Sequence, residues 1–584
     1  MSSRSQYTRN TIRTGLLLTT ALIVMPLDQA MAQAQLPQNL QDSAQGAASA
    51  GRVQGQIQKQ EVVPSVSPSV EVRDIILQDV PKGAEKLCFT FNSLEINGNN
   101  AYDTQALRPL YGEQLGTEIC LDDLYRIATR LTQKYRNDGY ILTQVYVPPQ
   151  TIENGVAKLN VLEGYLESVS VEAGENVKES EMGFIRAYAN GIKTGGALNA
   201  KELERYLLLI NDLPGLSARS VLGAAQSTTG AATLRIIVER DLYDGFLSIN
   251  NHGSRYLGPI QGIAAVSANS FFGMNERITA QFAAAPFGGE LFYGFMGYEM
   301  PINHYGTKVD FSFSHSSTAP GYNLEEFDVK GRAQSFTARI THPFARSREQ
   351  NLYGYAMLDW RDVTSKNNLL EPTRDDRIRA FRGGLNYEFL DTFWKVGVNS
   401  INLEVSQGLN VFGSTEEGDL NISRSFGDPQ FTKFNAEFQR LQGLTQRLNL
   451  LVKARGQLSN GPLLSSEEFG VGGPDLGRAY DPSEIIGDDG LAGTMELQWN
   501  TPYQSSFAQD YQLFSFIDAG RVWNDDATTS STKTDTATSV GFGIRADFKN
   551  DTKAGLSVAF PLNRDVATQG DDAPRVYFNL SRSF

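Results

Sequence analysis

An arginine in a loop and an aspartate in a strand are the residues whose types and positions most suggest a specific interaction. In the run Phe516-Ile517-Asp518-Ala519-Gly520, a period of two places Phe516, Asp518 and Gly520 on one face of a strand. Arg478 lies at the tip of a glycine-rich loop that we predict from about residue 464 to 491. Its guanidinium could bind the Asp518 carboxylate through two hydrogen bonds. A solvated arginine and a water-facing aspartate are the simpler alternatives.

Residues that usually carry catalysis are few in this sequence. The four histidines fit neither a Ser/His/Asp arrangement nor a metal-ligand spacing; they are His252, His304, His315 and His342. The sequence contains no G-x-x-x-x-G-K-[ST] phosphate loop, and the glycine-rich stretch at 470–473 lacks the helix that a dinucleotide site needs. We therefore predict no enzymatic activity, no cofactor and no metal.

The composition excludes further classes of protein. The 584 residues include 66 acidic and 52 basic side chains, and the net charge of −14 argues against a general nucleic-acid binder. After about the first thirty residues, no apolar run reaches the roughly 20 residues that a membrane-spanning helix needs. The 54 glycines, 32 phenylalanines and 23 tyrosines suit strands and turns. A membrane β-barrel remains compatible, because only every second residue of its strands faces lipid.

Period-two alternation recurs over residues 241–584, which we predict to form a transmembrane barrel of about sixteen antiparallel strands. Examples are Val309/Phe311/Phe313, Phe336/Ala338/Ile340 and Val576/Phe578/Leu580. A large soluble β-sandwich would alternate as well, but many of the intervening residues are charged, which suits an aqueous lumen. The aromatic Phe584 after the last strand is typical of outer-membrane barrels. Asp518 should face the lumen, since a carboxylate in lipid is costly.

Two similar units precede the predicted barrel. Residues 87–164 and 165–240 each read as strand, helix, helix, strand, strand, so we predict two small α+β domains of βααββ type. Helical spacing is clearest in the second helix of each unit. Gly139 and Gly215, which follow these helices, lie at equivalent positions and mark an internal repeat.

The amino terminus predicts export. Residues 1–32 combine arginines, a short apolar stretch and Ala30-Met31-Ala32, as a secretory signal peptide does. Residues 33–60 form either a polar tail or a helix held in a cavity, and residues 61–86 read as a linker. In an oxidising compartment we expect a structural disulfide between Cys88 and Cys120, with free thiols as the alternative.

In this order, the segments resemble the outer-membrane transporters of two-partner secretion, of the haemolysin secretion/activation type. The βααββ units resemble polypeptide-transport-associated (POTRA) domains, and residues 135–140 match the helix-to-strand junction of such domains. Phe516, Asp518 and Gly520 match the F-x-D-x-G barrel motif of the family. Arg478 and Tyr480 match the V-R-G-Y tip of its conserved loop between strands 11 and 12, whereas Gly477 and Ala479 depart from that pattern.

The resemblance implies a transporter in the outer membrane of a Gram-negative bacterium. Its periplasmic POTRA domains would capture an unfolded exoprotein of haemolysin or adhesin type, and the barrel would pass it to the cell surface. Residues 38–59 would form a helix that plugs the lumen, and Arg478 would contact Asp518 there. Further implied partners are outer-membrane lipid and the barrel-assembly machinery during biogenesis. The alternatives are an outer-membrane protein assembly factor of the same superfamily, a ligand-gated nutrient receptor and an enzyme.

Overall fold

A computed structural model describes most of the chain after the amino-terminal region. The described residues are 45–58, 70–71, 79–225, 230–368, 373–501, 508–525 and 533–584. The predicted signal peptide at 1–32, the start of the polar tail and much of the predicted linker lie outside the described residues. Within the described ranges no helix is long and apolar enough to span a membrane.

The first small domain has a mixed three-stranded sheet packed against one long helix. Its elements, preceded by α1 (Ala50–Gln58) and β1 (Val70–Glu71), are β2 (Cys88–Thr90), β3 (Ser93–Asn97), α2 (Thr104–Leu107), β4 (Glu118–Cys120), α3 (Leu121–Asn137), β5 (Gln144–Tyr146) and β6 (Val156–Leu162). The sheet order is β3-β6-β5. The apolar side of α3 covers this sheet, with Leu124, Ile127, Leu131 and Tyr135 fully buried.

This first domain departs from the simple βααββ order in two places. Its first helix, α2, is a single turn followed by short 3-10 turns, because Pro109 cannot continue an α-helix. The predicted opening strand is divided, so that β2 pairs with β4 outside the main sheet. The chain leaves α3 through Gly139, which adopts the left-handed conformation at φ 103° that glycine favours after a helix.

The second small domain follows the predicted order. It contains β7 (Tyr165–Ala173), α4 (Glu179–Ala189), α5 (Ala200–Asn211), β8 (Leu216–Ala224) and β9 (Ala231–Arg240). The two helices pack on the sheet through buried leucines and isoleucines. The short strand β1 lies parallel to β8, with Val70 opposite Ser220, so the sheet order is β1-β8-β9-β7.

Sixteen antiparallel strands close into a barrel, which confirms the predicted fold class. They are β10 (Tyr243–Asn250), β11 (Gln261–Asn269), β12 (Arg277–Ala284), β13 (Leu291–Pro301), β14 (Lys308–Thr318), β15 (Val329–Arg346), β16 (Gln350–Asn367), β17 (Arg374–Asp391), β18 (Gly397–Gly408), β19 (Thr432–Gly443), β20 (Leu448–Ser459), β23 (Asp489–Thr501), β24 (Ala508–Trp523), β25 (Thr534–Phe548), β26 (Thr552–Pro561) and β27 (Arg575–Ser583). Each of these strands pairs with the next one in this order, and β10 pairs with β27 to close the seam.

The loop between β20 and β23, the eleventh and twelfth barrel strands, is more ordered than its glycine content predicts. A glycine-rich stretch such as residues 470–480 is expected to be too flexible for a strand, and that expectation is wrong at Gly470 and Val471. The loop contains β21 (Phe469–Val471) and β22 (Ile485–Gly487), which pair with each other. Gly472, at φ 120°, turns the chain after β21, and side-chain contacts with the barrel wall hold the hairpin. Both this loop and α1 pack against lumenal side chains of the barrel wall.

Candidate functional site

The carboxylate of Asp518 is the centre of the site. Asp518 lies on β24 with no exposed surface, and Phe516 and Gly520 point to the same lumenal side. The Oδ2 atom accepts hydrogen bonds from the backbone N–H of Arg478 at 2.9 Å and from its Nε at 3.0 Å. The Oδ1 atom accepts the Arg478 Nη2 at 2.8 Å. The backbone N–H of Gly477 and the Ser539 hydroxyl also donate to Oδ2.

The Arg478 guanidinium has further partners on the barrel wall that sequence reasoning missed. Its Nη1 bonds the carboxylate of Glu496 on β23, and its Nη2 donates to the Thr494 hydroxyl at 2.7 Å. The guanidinium also lies 3.5 Å from the ring centroid of Phe516. Phe516 therefore supplies a cation–π surface beneath the ion pair.

Glu496 joins Arg478 to a second arginine. Arg545 on β25 contacts both carboxylate oxygens of Glu496, at 2.6 and 3.1 Å. The Arg545 guanidinium stacks 3.7 Å from the ring centroid of Phe514. Two arginines thus alternate with two carboxylates over two aromatic rings. The alternation on β23 indicates that Glu496 faces inward, but only the folded loop brings Arg478 beside it.

The remaining motif residues shape the space that the loop fills. A Cβ atom on Gly520 would lie 2.6 Å from Val471 of the loop, so this glycine leaves room for close approach. Tyr480 is almost fully buried, and its hydroxyl donates to the backbone oxygen of Thr538 at 2.8 Å. Phe516, Asp518 and Gly520 therefore contact the loop in three ways, through an aromatic face, a carboxylate and an open space.

The left-handed residue of the loop tip is Gly477. Its φ is 86°, and a Cβ atom there would lie 3.1 Å from the backbone of Gly472. Ala479 takes the position where the family pattern has glycine, and it is fully buried with no positive φ. The two departures from the family pattern, Gly477 and Ala479, therefore have a common structural reason. Glycine stands where this tip needs the left-handed conformation, and alanine stands where it does not.

Farther along, the loop also contacts the connection between β26 and β27 and the first residue of β27. Asp481 pairs with Arg575 at 2.9 Å, and Glu484 accepts the backbone N–H of Ala567 at 2.7 Å. Burial, followed by the negative charge of Asp481, raises the pKa of the Glu484 carboxyl to about 7. Glu484 is therefore the group in this contact that changes protonation near neutral pH.

The base of the loop is held by a second ionic cluster that the sequence did not indicate. Glu467 is almost fully buried, and it pairs with Lys433 at 2.7 Å, Arg382 at 2.8 Å and Arg361 at 3.2 Å. Asp359 also pairs with Arg382, at 2.8 Å. Three strands of the lumen wall, β16, β17 and β19, supply these partners. Three cations and two carboxylates thus anchor the loop to the wall.

Helix α1 lies in the lumen beside this cluster. Arg52 donates to the backbone oxygens of Ser465 and Glu468, and it pairs with the Glu468 carboxylate at 3.4 Å. The backbone oxygen of Ala50 accepts the Ser316 hydroxyl of β14 at 2.8 Å. Arg52 therefore joins α1 to the loop, and the Ala50 backbone joins it to the barrel wall.

The predicted polar character of this segment holds for only part of α1. Val53 and Ile57 are buried in an apolar cluster with Tyr256, Ile263 and Tyr293 of the barrel. The lumen wall therefore carries an apolar patch, and one side of α1 packs on it. The described helix is Ala50–Gln58, and residues 38–44 and 59 of the predicted plug lie outside the described residues.

The two cysteines and Phe584 lie away from the lumenal site. Cys88 and Cys120 form a disulfide between β2 and β4. Asp122 and Asp123 lie near Cys120, but the sulfur of Cys120 is engaged in the disulfide. Phe584 exchanges two backbone hydrogen bonds with Gly245 at the barrel seam, and its ring occupies the space that a Cβ on Gly245 would need.

Hydrogen bonds of Arg240 and Asp212 join the second small domain to the barrel. Arg240 and Glu181 pair at 3.2 Å with no exposed side-chain surface, and Arg240 also donates to Asn275 in the turn after β11 at 2.6 Å. Asp212 of the same domain accepts two bonds from Arg346 of β15, at 2.7 and 2.8 Å. The periplasmic turns of the first barrel strands therefore carry this domain.

Comparisons with known proteins agree with this architecture. Residues 234–546, more than half of the chain, match the family described as haemolysin secretion/activation protein ShlB/FhaC/HecB. Residues 89–164 match the POTRA domain of ShlB type.

Similar proteins include two curated transporters and one solved structure. The heme/hemopexin transporter protein HuxB of Haemophilus influenzae (strain 86-028NP) is 23% identical over 507 residues, covering 85% of this chain and 87% of HuxB. The outer membrane transporter CdiB of Dickeya dadantii (strain 3937) is 21% identical over 458 residues, covering 76% and 78%. The structure of CdiB from Escherichia coli matches with a TM-score of 0.69 at 18% identity, covering 95% of this chain and 100% of CdiB.

The resemblance inferred from the sequence is confirmed by the extent of the family match. The chain belongs to the haemolysin secretion/activation family ShlB/FhaC/HecB, the outer-membrane transporters of two-partner secretion.

Proposed function

We propose that this transporter exports one secreted protein as an unfolded chain, and that the loop carrying Arg478 controls passage through the barrel. The observation that carries the proposal is that two elements of this chain occupy the lumen of the barrel. The loop and α1 both lie there, and polar contacts join them to the wall and to each other. Such contacts can be exchanged without breaking the barrel, so both elements can move aside while a polypeptide passes.

Control by the loop is supported by how its tip is held. The Arg478 guanidinium is bonded to Asp518 and Glu496, which lie on adjacent strands, and its planar shape fits such a site. Since these partners are buried, separating them is costly unless other polar or charged groups replace one partner. Polar groups of the exported chain, or water entering with it, would supply that replacement. The ion pairs therefore keep the resting barrel closed.

Capture in the periplasm belongs to the POTRA domains in this proposal. Strand addition to an exposed sheet edge suits a partner of varied sequence, because the affinity comes from main-chain hydrogen bonds. Among the described residues, the β8 edge of the second domain is covered by β1 only at Ser220 and Val221. The same edge already accepts a strand from this chain, which supports its capacity to accept one from the partner.

The proposal requires no catalysis by the chain. Folding of the exported partner at the cell surface would supply the driving force. HuxB and CdiB are named as transporters, and the name of HuxB includes heme and hemopexin. We propose by likeness that the partner here is a secreted exoprotein, of haemolysin or adhesin type. Lipid of the outer membrane and the barrel-assembly machinery during biogenesis complete the proposed partners.

Secretion assays in the native host test the proposal. Deleting the gene should abolish secretion of one exoprotein and leave other outer-membrane proteins at normal levels. Arg478→Ala should lose secretion while the barrel is still inserted, as judged by heat-modifiable migration in gels. The matched control is Arg377→Ala, which removes an exposed arginine that pairs with Asp375 on its own strand.

The same assays distinguish the alternative. A general loss of outer-membrane proteins on deletion would indicate an assembly factor and overturn the export proposal. Unaltered secretion by an inserted Arg478→Ala variant would overturn the role of the loop while leaving export itself intact.

A further inference from the structure

We propose that the outer surface of the barrel at its seam binds a phospholipid of the periplasmic leaflet, with Arg582 holding the phosphate and an apolar groove holding an acyl chain. This inference is independent of the export proposal. It rests on the shape of the groove, the direction in which its side chains point and the position of one arginine.

The groove is a cavity of about 540 Å³ on the side of the barrel that faces lipid. Its floor consists of small outward residues, Gly262 and Ala264 on β11 and Ala284 on β12. The walls are large apolar side chains: Leu247, Ile249 and Leu580 on one side, Phe282 and Phe292 on the other. The volume lies within the range of about 300–1,000 Å³ that is usual for ligand pockets.

The strand pairing establishes that this surface faces outward. Leu247 and Ile249 of β10 are about half exposed, whereas Ile263 on the adjacent strand is buried on the lumenal side near α1. Leu247 lies opposite Ala264, and Ile249 lies opposite Gly262, so these four side chains share the outer face. An apolar chain in the groove would therefore come from the membrane.

Arg582 is the charged residue at one end of the groove. It continues the outward row of β27 after Phe578 and Leu580, and it lies opposite Leu247 on β10 and Thr552 on β26. No carboxylate among the described residues lies within ion-pair distance of its guanidinium. An unpaired guanidinium beside hydrocarbon is unfavourable, and a phosphate would satisfy it through two parallel hydrogen bonds.

The end of the barrel at which Arg582 lies identifies the leaflet. Arg582 is close to the carboxyl end of β27 and pairs with the first half of β10, which follows directly from β9 of the second small domain. That domain is periplasmic, so Arg582 lies at the periplasmic end of the strands. The lipid available there is a phospholipid, and we assign its phosphate as the anionic partner.

The groove also crosses the seam of the barrel. Strands β10 and β27 pair over Phe246–Asn250 and Asn579–Ser583, and the groove has Leu247 on one side of that pairing and Leu580 on the other. A lipid bound there contacts both strands at once. Bound phospholipid should therefore stabilise the closed seam, since a ligand that prefers the folded state shifts unfolding upward.

Native mass spectrometry of the full chain in detergent, with dioleoylphosphatidylglycerol added, tests this site. We expect one lipid bound to the wild-type protein, and an apparent affinity at least fivefold lower for Arg582→Gln. Gly262→Leu should lower it similarly, because its side chain fills the groove floor where a Cβ meets no atom within 4 Å. The matched control is Lys553→Gln, which removes a positive charge from the lumenal face of neighbouring β26 opposite Ser581.

Thermal unfolding supplies a second readout. Added phosphatidylglycerol should raise the unfolding temperature of the wild type and of Lys553→Gln more than that of Arg582→Gln. Equal lipid binding by Arg582→Gln and Lys553→Gln would overturn the proposal. Dioleoylglycerol, which lacks the phosphate, should bind at least fivefold more weakly than phosphatidylglycerol, and equal binding would refute the role assigned to Arg582.

Discussion

Replacing Asp518 by asparagine tests whether a single carboxylate holds the lumenal loop in place. The substitution keeps the size of the side chain and removes its charge. Of the five hydrogen bonds that Asp518 accepts, three come from Arg478 and two from Gly477 and Ser539. An amide has one acceptor oxygen, and its NH₂ group would face the guanidinium. Arg478 keeps Glu496 as its remaining carboxylate.

The expected cost follows from these contacts. Removing one partner of a buried ion pair costs about 3–5 kcal/mol. Because Glu496 still pairs with Arg478, we expect the lower end, about 3 kcal/mol, which is roughly a 100-fold change in an equilibrium constant. The loop should therefore leave the wall about 100 times more often relative to its bound state. Single-channel recording in planar bilayers measures this change as an increase in the open probability of the purified barrel.

A matched variant separates loop release from a general effect of charge. Asp547→Asn removes a carboxylate from the lumenal face of neighbouring β25, where Asp547 forms no ion pair with any described residue. The open probability of Asp547→Asn should be no higher than that of the wild type. If Asp518→Asn opens no more often than Asp547→Asn, while both barrels remain folded, the assignment of Asp518 as the anchor of the loop is refuted.

Three further predictions concern the loop and the first small domain. Gly477→Val, which restores the residue usual in the family, should weaken loop closure by about 1–2 kcal/mol because a branched side chain is strained at φ 86°; Ala479→Gly should change the open probability much less. Because the pKa of the Glu484 carboxyl is raised to about 7, the folded loop binds more protons than the unfolded chain between pH 4.5 and 7. The contact of the loop with the β26–β27 connection should therefore weaken as the pH rises from 5 to 8. Glu484→Gln should remove that pH dependence of channel opening. Replacing Cys88 and Cys120 by serine should lower the stability of the first domain by about 3–4 kcal/mol on the loop-entropy relation, seen as faster hydrogen exchange in that domain with barrel exchange unchanged.

Strand alternation predicted the barrel because its lipid-facing rule is local. Alternation along a single strand is enough to assign its lipid-facing side, so the sequence alone predicts that the side chains of Phe311 and Phe313 point outward. The inward direction of Asp518 follows from the same rule. The motif residues were therefore accessible to sequence reasoning, together with the number of strands.

The ionic partners inside the barrel depend on distant parts of the chain. Glu496 and Arg545 meet because β23, β24 and β25 are in one particular register, and the loop brings Arg478 to them. Glu467 gathers its partners from β16, β17 and β19. The period-two pattern predicts that such residues face inward, but it does not predict which charged side chains form pairs with one another. The apolar patch under α1 has the same origin, since Tyr256 and Tyr293 form it only in the closed barrel.

The seam between β10 and β27 has a consequence for the order of folding. Every other barrel pairing joins barrel strands that follow one another along the chain, whereas Phe246 pairs with Ser583 across more than three hundred residues. The entropy of closing such a loop must be met before any seam contact forms, so hairpins should appear first and closure last. Until then the sheet has two free edges, which readily pair with other chains. We therefore expect the nascent barrel to need a protein that covers β10 or β27 until they meet.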